Sequence, residues 1–371
     1  MDFGHTAEEV HFRGRVRDVL AQPEVRTLAA RLTQVADGDA GERELYRLLG
    51  KAGILSASWP AEYGGQALTF EHAALVGEEL ARAGIPDSLY VNGIQTVGQL
   101  LLAAGTSAQK ARILPGLSCG ELLACILYSE PEAGSDLASL SCVATPVNTG
   151  FELTGTKVFG LKCGLADIGL CAARTHPAAG PKYHGITIFL VDMHAPGVDV
   201  RPMDGLAEER FHVVTLDAVR LTQDDVVGEI GQGWPVLVEA LPFERVGFDF
   251  AARAERWYEA ALTGADNSLC PAESGRNAAR VEAARLLSAR AAADISEGRS
   301  DPVSTSVAKW YASELAAELS GWALQCHAPV PPPEVGRAYR EGPGLRLSGG
   351  TAEMMLQTLV QHLPDAVDEL D

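Results

Sequence analysis

Apolar and polar positions follow two rhythms along this chain. In AEEVHFRGRVRDVL and TFEHAALVGEELARAG, apolar residues recur at three- and four-residue spacing, which predicts amphipathic helices in the first third. Thr69 is the expected N-cap of the second helix and Gly84 its stop. Between the two helices, SWPAEYGG is a connector punctuated by Pro and Gly. TSAQKARILPGLSCGELLACI reads as a further helix, a loop and the entry to a strand. From about Cys125 the texture changes. FELTGTKVFG, IGLCAART, GITIFLVDM, GVDVRPM and FHVVTLDAVRL are short, rich in Val, Ile, Phe and Thr, and separated by turn residues. They predict a small β domain.

Helical spacing returns at GQGWPVLVEALPFERVGFDFAARAERWYEAAL and continues over Asn277 to Ser296 and Val303 to Cys326. Val307, Tyr311, Leu315, Leu319 and Trp322 form one apolar stripe of the latter helix. HAPVPPPEVGRAYREGPG reads as a loop, and a last helix spans Thr351 to His362. The order helices, strands, helices lacks the βαβ alternation of a doubly wound sheet, and no GxGxxG opens a helix after a strand. One polar stretch stands out, LYSEPEAGSDLASL. Taken alone it is either a surface turn or a segment whose amides and hydroxyls converge on an anionic group.

The 371 residues suffice for two or three domains, and 47% apolar with 21% charged residues is ordinary globular composition. The net charge of −19 argues against nucleic acid or an anionic membrane as partner. Any anionic ligand then needs local donors or arginines. Cysteines 119, 125, 142, 163, 171, 270 and 326 form no CxxC pair and no metal-like spacing, so reduced, mostly buried thiols and no metal are expected. No apolar run matches a membrane span, and the N-terminal stretch has no signal-peptide core, so a soluble, cytoplasmic protein is expected.

Five segments, in this order, resemble the signatures of the acyl-CoA dehydrogenases: SWPAEYGG, LYSEPEAGSDLASL, LTGTKVF with the following LAD, VVGEIGQGW and LRLSGGTAEMM. The resemblance implies an α+β protein. An N-terminal helical domain (1–123) would precede a small β-barrel or sandwich domain (124–232) and a C-terminal four-helix-bundle domain (233–371). It implies FAD as cofactor, held by Leu127, Tyr128, Ser129, Gly134, Ser135, Phe159, Gly160, Leu161, Thr351 and Glu353. In the family, Ser135, Arg245 and Gly350 match positions that face the acyl thioester or its CoA phosphates. Trp234 is expected at the domain junction, or simply as a buried core residue.

The family reaction needs a carboxylate base in a dry pocket, where burial raises its pKa. Many relatives carry it just before the Gly-Thr of the last signature, but here that position is Gly349. A second branch carries it in a Glu-Arg pair on the first helix after the β domain, which points to Glu244 in ALPFERVGF. Without the resemblance, Glu244-Arg245 is a routine helix charge pair. Two departures stand out. Leu161 replaces a Thr or Ser that hydrogen-bonds near flavin N5, and QCHAPVPPPE replaces a glycine-rich run that touches the neighbouring subunit's FAD. Arg276 is a candidate for an arginine reaching across a dimer, against the alternative of a solvated helix arginine.

The implied partners are an acyl-CoA or acyl-carrier-protein thioester and an electron-transfer flavoprotein or similar acceptor, within a homodimer or homotetramer. Two alternatives remain: a base- or flavin-deficient subunit of a heteromeric dehydrogenase, and a flavin oxidase or monooxygenase on the same fold.

Overall fold

The computed structural model describes residues 4–32, 39–176, 180–207, 209–263, 270–299 and 301–362. Six α-helices come first: α1 (Ala7–Leu20), α2 (Pro23–Leu32), α3 (Asp39–Lys51), α4 (Phe70–Arg82), α5 (Gln99–Ala104) and α6 (Ser107–Ser118). A π-helical stretch, Tyr90–Gly98, runs straight into α5. The strands follow: β1 (Ala124–Leu127), β2 (Val143–Val147), β3 (Gly150–Leu161), β4 (Ile168–Arg174), β5 (Ile186–Asp192), β6 (Val198–Pro202), β7 (Phe211–Leu221) and β8 (Val226–Val227). Six helices close the described chain: α7 (Gly233–Glu244), α8 (Phe248–Leu262), α9 (Pro271–Ser296), α10 (Pro302–Cys326), α11 (Pro333–Leu345) and α12 (Ala352–His362). The predicted α+β order is therefore present.

The strands form one sheet in the order β6-β7-β3-β2-β4-β5-β8, with β1 added in parallel against β4. Its central strands are buried on both faces. In β4 and β5, Leu170, Ala172, Ile186, Ile188 and Leu190 join a core shared with the N-terminal helices and α7. The alternate residues Cys171, Ala173, Phe189 and Val191 turn into a second core inside the β domain. Side chains alternate with period two along a strand, so one apolar run feeds two cores. β1 obeys the same rule. Leu127 enters the inner core, while Tyr128, just beyond the strand, packs on the helical side.

α10 is capped by Asp301, its carboxylate accepting from the Val303 and Ser304 amides at 2.9 and 3.2 Å. Its buried face is mostly small: Ala308, Ala312, Ala316 and Ala323 line it with Leu315 and Leu319, while Val307 and Tyr311 of the expected stripe are only half-buried. Thr69 has the extended backbone of an N-cap, but its hydroxyl pairs with His72 Nδ1 at 2.9 Å rather than with a helix amide. The proline-rich stretch after Cys326, expected as a loop, is in fact helical over α11. Pro333 takes the first-turn position where a missing N–H costs nothing, and Val335, Ala338 and Leu345 are buried against the bundle. Among the described residues no helix is long and apolar enough to cross a membrane.

Candidate functional site

The segment singled out by its polar residues is held from beneath by a buried cation. Lys157 on β3 is fully buried, and its ammonium donates to Glu130 Oε1 at 2.8 Å, to the Tyr128 carbonyl at 3.1 Å and to the Ala172 carbonyl at 2.7 Å. Glu130 also accepts from the amides of Ser141 and Cys142 at 2.6 and 2.9 Å and from the Ser141 hydroxyl at 2.7 Å. Burial alone would raise the Glu130 carboxyl, but Lys157 and these donors hold it below the usual carboxylate range. The Val158 amide donates to the Ser129 carbonyl at 2.9 Å, which fastens the segment's start to β3. A tight turn pairs Glu130 with Ala133, and beyond it Gly134 and Ser135 are exposed.

Next to this anchor, β3 bulges. Its register against β7 shifts between Lys157 and Gly160, and Phe159 adopts a positive φ of 57°. The bulge turns Phe159 outward, 60% exposed, with its ring edge-on to Phe211 at 6.3 Å. Pairing resumes at Gly160, opposite His212, and Leu161 follows opposite Phe211. A large aromatic left uncovered beside a rigid polar loop suits a flat, partly anionic ligand that stacks on the one and hydrogen-bonds to the other.

The third part comes from the C-terminal helices. Glu244 is the last residue of α7, and Arg245 caps it. Arg245 Nε donates to the Gly349 carbonyl at 3.2 Å. Gly349 and Gly350 both have positive φ, 64° and 97°, which glycine adopts without a Cβ penalty. A Cβ built on Gly349 would lie 3.4 Å from Glu244 Oε1. The two positions that sequence reasoning weighed for the base, far apart in the chain, thus converge on one spot. Glu244 keeps some accessible surface but is surrounded by protein; burial raises its carboxyl above the ordinary value, against the lowering pull of Arg245 and Lys309.

Lys309 was not anticipated. It sits fully buried on α10, donating to the Gly350 carbonyl at 2.6 Å and the Leu345 carbonyl at 3.2 Å, with the Phe250 ring centroid 5.5 Å away. Burial lowers its pKa to about 8, with Glu244 and Asp249 pulling the other way. A lysine flanked by Thr305, Ala308 and Ala312 on a small-residue face was the available signal. Lys157 gave no such signal, because its partner Glu130 lies on another element.

Tyr128, at the start of the polar segment, packs on the apolar cluster that also takes in Phe243 and Val246, which flank Glu244-Arg245. Burial and then the Glu244 charge push its phenol well up. Thr351 caps α12, accepting from the Met354 amide at 3.3 Å, and Glu353 is exposed in the first turn of that helix. Both follow Gly350 closely in the chain, whereas Gly134 and Ser135 lie on the exposed far side of the polar segment. Trp234 on α7 stacks on Tyr183 at 6.1 Å, where the helix meets the strand region.

An arrangement of helices, one sheet and a helical bundle with an enclosed carboxylate is the class this geometry defines. Sequence profiles described as acyl-CoA dehydrogenase N-terminal, middle and C-terminal domains match residues 6–121, 125–219 and 231–363. The chain belongs to the acyl-CoA dehydrogenase family, a family of flavin oxidoreductases. Acyl-CoA dehydrogenase FadE34 of Mycobacterium tuberculosis is 40% identical over 220 residues, 59% of this chain and 30% of that protein. Acyl-CoA dehydrogenase IpdE1 of the same organism is 35% identical over 244 residues, 63% of this chain and 62% of that protein. The chain thus spans less than two thirds of the length of either relative. A solved structure described as Tcur3481-Tcur3483 steroid ACAD superposes with a TM-score of 0.86 at 27% identity, covering 97% of this chain and 98% of that one.

Proposed function

We propose that this protein dehydrogenates an acyl thioester between Cα and Cβ, with Glu244 as the base that removes the Cα proton. The observation that carries the reading is the enclosed Glu244 carboxylate lying beside Gly349, the alternative base position. Burial makes Glu244 a stronger base than an exposed glutamate, and the charges of Arg245 and Lys309 offset part of that rise. FAD would be held by Leu127, Tyr128, Ser129, Gly134, Ser135, Phe159, Gly160 and Leu161, with Thr351 and Glu353 at the far side. When bound, FAD supplies the two-electron acceptor for the Cβ hydride.

Phe159 offers a stacking face, and the Lys157–Glu130 anchor fixes the carbonyls and hydroxyl of the 128–130 stretch. Arg245 offers a cation to the CoA phosphates, and Ser135 and Gly350 border the thioester. The domains run over 1–123, 124–232 and 233–371. The default carrier is coenzyme A, the acceptor an electron-transfer flavoprotein or similar protein, the assembly a homodimer or homotetramer, and the setting cytoplasmic.

The test is anaerobic titration of the purified protein with a panel of acyl-CoA thioesters. The reading predicts a yellow protein whose flavin bleaches on mixing with at least one of them. A colourless protein that takes up no added FAD contradicts it. Leu161, which has no hydroxyl to donate, favours a second reading as one subunit of a heteromeric dehydrogenase. That reading predicts that the chain expressed alone forms no stable yellow homo-oligomer.

A further inference from the structure

We propose that Tyr128 is a specificity-determining residue of the Glu244 pocket, its phenol hydroxyl donating a hydrogen bond to an uncharged oxygen carried by the acyl chain. The inference rests on the proposed role of Glu244. Strand alternation sends Leu127 into the β-domain core and Tyr128 to the opposite side, against the helices. There its hydroxyl is buried and has no hydrogen-bond partner among the described residues. Lys157 fixes the backbone from which it projects, donating to the Tyr128 carbonyl at 3.1 Å.

A buried, unpaired hydroxyl is costly, roughly 1–3 kcal/mol. Such a group calls for an explanation, and a ligand that completes it is the one proposed here. The ligand part assigned to this point is the acyl chain, because Tyr128 packs on the apolar cluster that also takes in Phe243 and Val246, which flank the proposed base and its arginine. Burial and Glu244 both suppress ionisation of the phenol, so it is a donor throughout the working pH range. The same Glu244 charge repels an anionic substituent, which leaves a keto, hydroxyl or ether oxygen. A site that places a buried donor against a substrate oxygen rejects the analogue lacking that oxygen far better than an apolar pocket rejects a missing methylene.

The experiment compares FAD-loaded wild type with Tyr128→Phe on matched acyl-CoA pairs of about four to twelve carbons, with and without one keto or hydroxyl group along the chain. Calorimetric Kd values are taken in the Glu244→Gln background and bleaching rates in the Glu244 background. The proposal predicts that wild type favours one or more oxygenated members at least ~10-fold and that Tyr128→Phe abolishes that preference. It also predicts that, without acyl-CoA, Tyr128→Phe melts at the wild-type temperature or above, because only an unpaired hydroxyl is lost. No preference at any length, a preference that survives in Tyr128→Phe, or equal losses for both members of a pair would overturn it. A lower melting temperature in Tyr128→Phe would also overturn it, by showing that protein or flavin already pairs the hydroxyl. Failure of bleaching with every thioester while the calorimetric preference persists would instead strike the base assignment and leave Tyr128 standing.

Discussion

Replacing Lys157 by Met isolates the contribution of the anchor beneath the polar segment. Lys157 and Glu130 are fully and almost fully buried, so no solvent screens their attraction. Removing one partner of a buried pair costs about 3–5 kcal/mol, since the other charge stays behind unpaired. Two carbonyls, of Tyr128 and Ala172, also lose their donor. Against this, Glu130 retains three donors, from the Ser141 amide, the Ser141 hydroxyl and the Cys142 amide. These place the expected loss near the lower end, about 3 kcal/mol. Adding Glu130→Gln removes the stranded charge, so the double variant should be about 2 kcal/mol more stable than the sum of the single losses.

The sign of the pH dependence follows from Glu130. Its folded pKa is depressed, so the pair's stabilisation is present above the unfolded carboxyl value and is lost as pH falls through the folded one. Urea unfolding of wild type, both single variants and the double variant, at neutral pH and fixed FAD excess, measures all four corners. A Lys157→Met loss under about 1 kcal/mol, or strict additivity in the double variant, would refute the reasoning.

Other expectations follow from the same geometry. Gly349→Ala forces a Cβ onto a backbone at φ 64° and places it 3.4 Å from Glu244 Oε1, so melting should show a loss of about 1–2 kcal/mol and bleaching should slow; wild-type values in both assays would contradict this. Lys309→Met removes a cation that lowers the Glu244 pKa, so the acid limb of the bleaching rate should move to higher pH, because the base works only as a carboxylate. An unmoved limb in a pH-rate profile would mean that Lys309 does not reach the base. Leu161→Thr restores a side-chain donor at the bulge and should tighten FAD binding or speed bleaching; no change in either would show that a backbone amide already fills the role.

The fold was legible where burial imposes a period. The unbroken apolar runs of β4 and β5 read as strands because both faces are covered, by Ile188 and its neighbours on one side and Phe189 on the other. α11 was misread because its prolines resemble loop punctuation, yet Pro333 stands in the first turn, where proline is tolerated. The π-helical stretch was invisible, since a wider turn leaves no residue-type signature; only the structure shows the Thr96 hydroxyl reaching the Val91 carbonyl, one wide turn back, at 3.0 Å. Thr69 was recognised as a cap residue, but not its choice of His72 as partner.

Within the candidate site, the polar loop stood out by its residues, but its role and that of Glu244 were reachable only through a family likeness. Their burial and mutual placement depend on contacts between distant segments. The adjacency of Glu244 to Gly349, the inward turn of Tyr128 and the buried ammoniums of Lys157 and Lys309 all arise from packing between elements. A lysine looks the same in a sequence whether solvent or a carbonyl surrounds it.

The central claim is that Glu244 removes the proton. Its most direct test is single-turnover flavin bleaching of FAD-loaded Glu244→Gln against wild type, under anaerobic conditions and saturating acyl-CoA. Loss of a positioned general base should slow bleaching by at least about 100-fold while acyl-CoA still binds. An unchanged bleaching rate in Glu244→Gln would contradict the account.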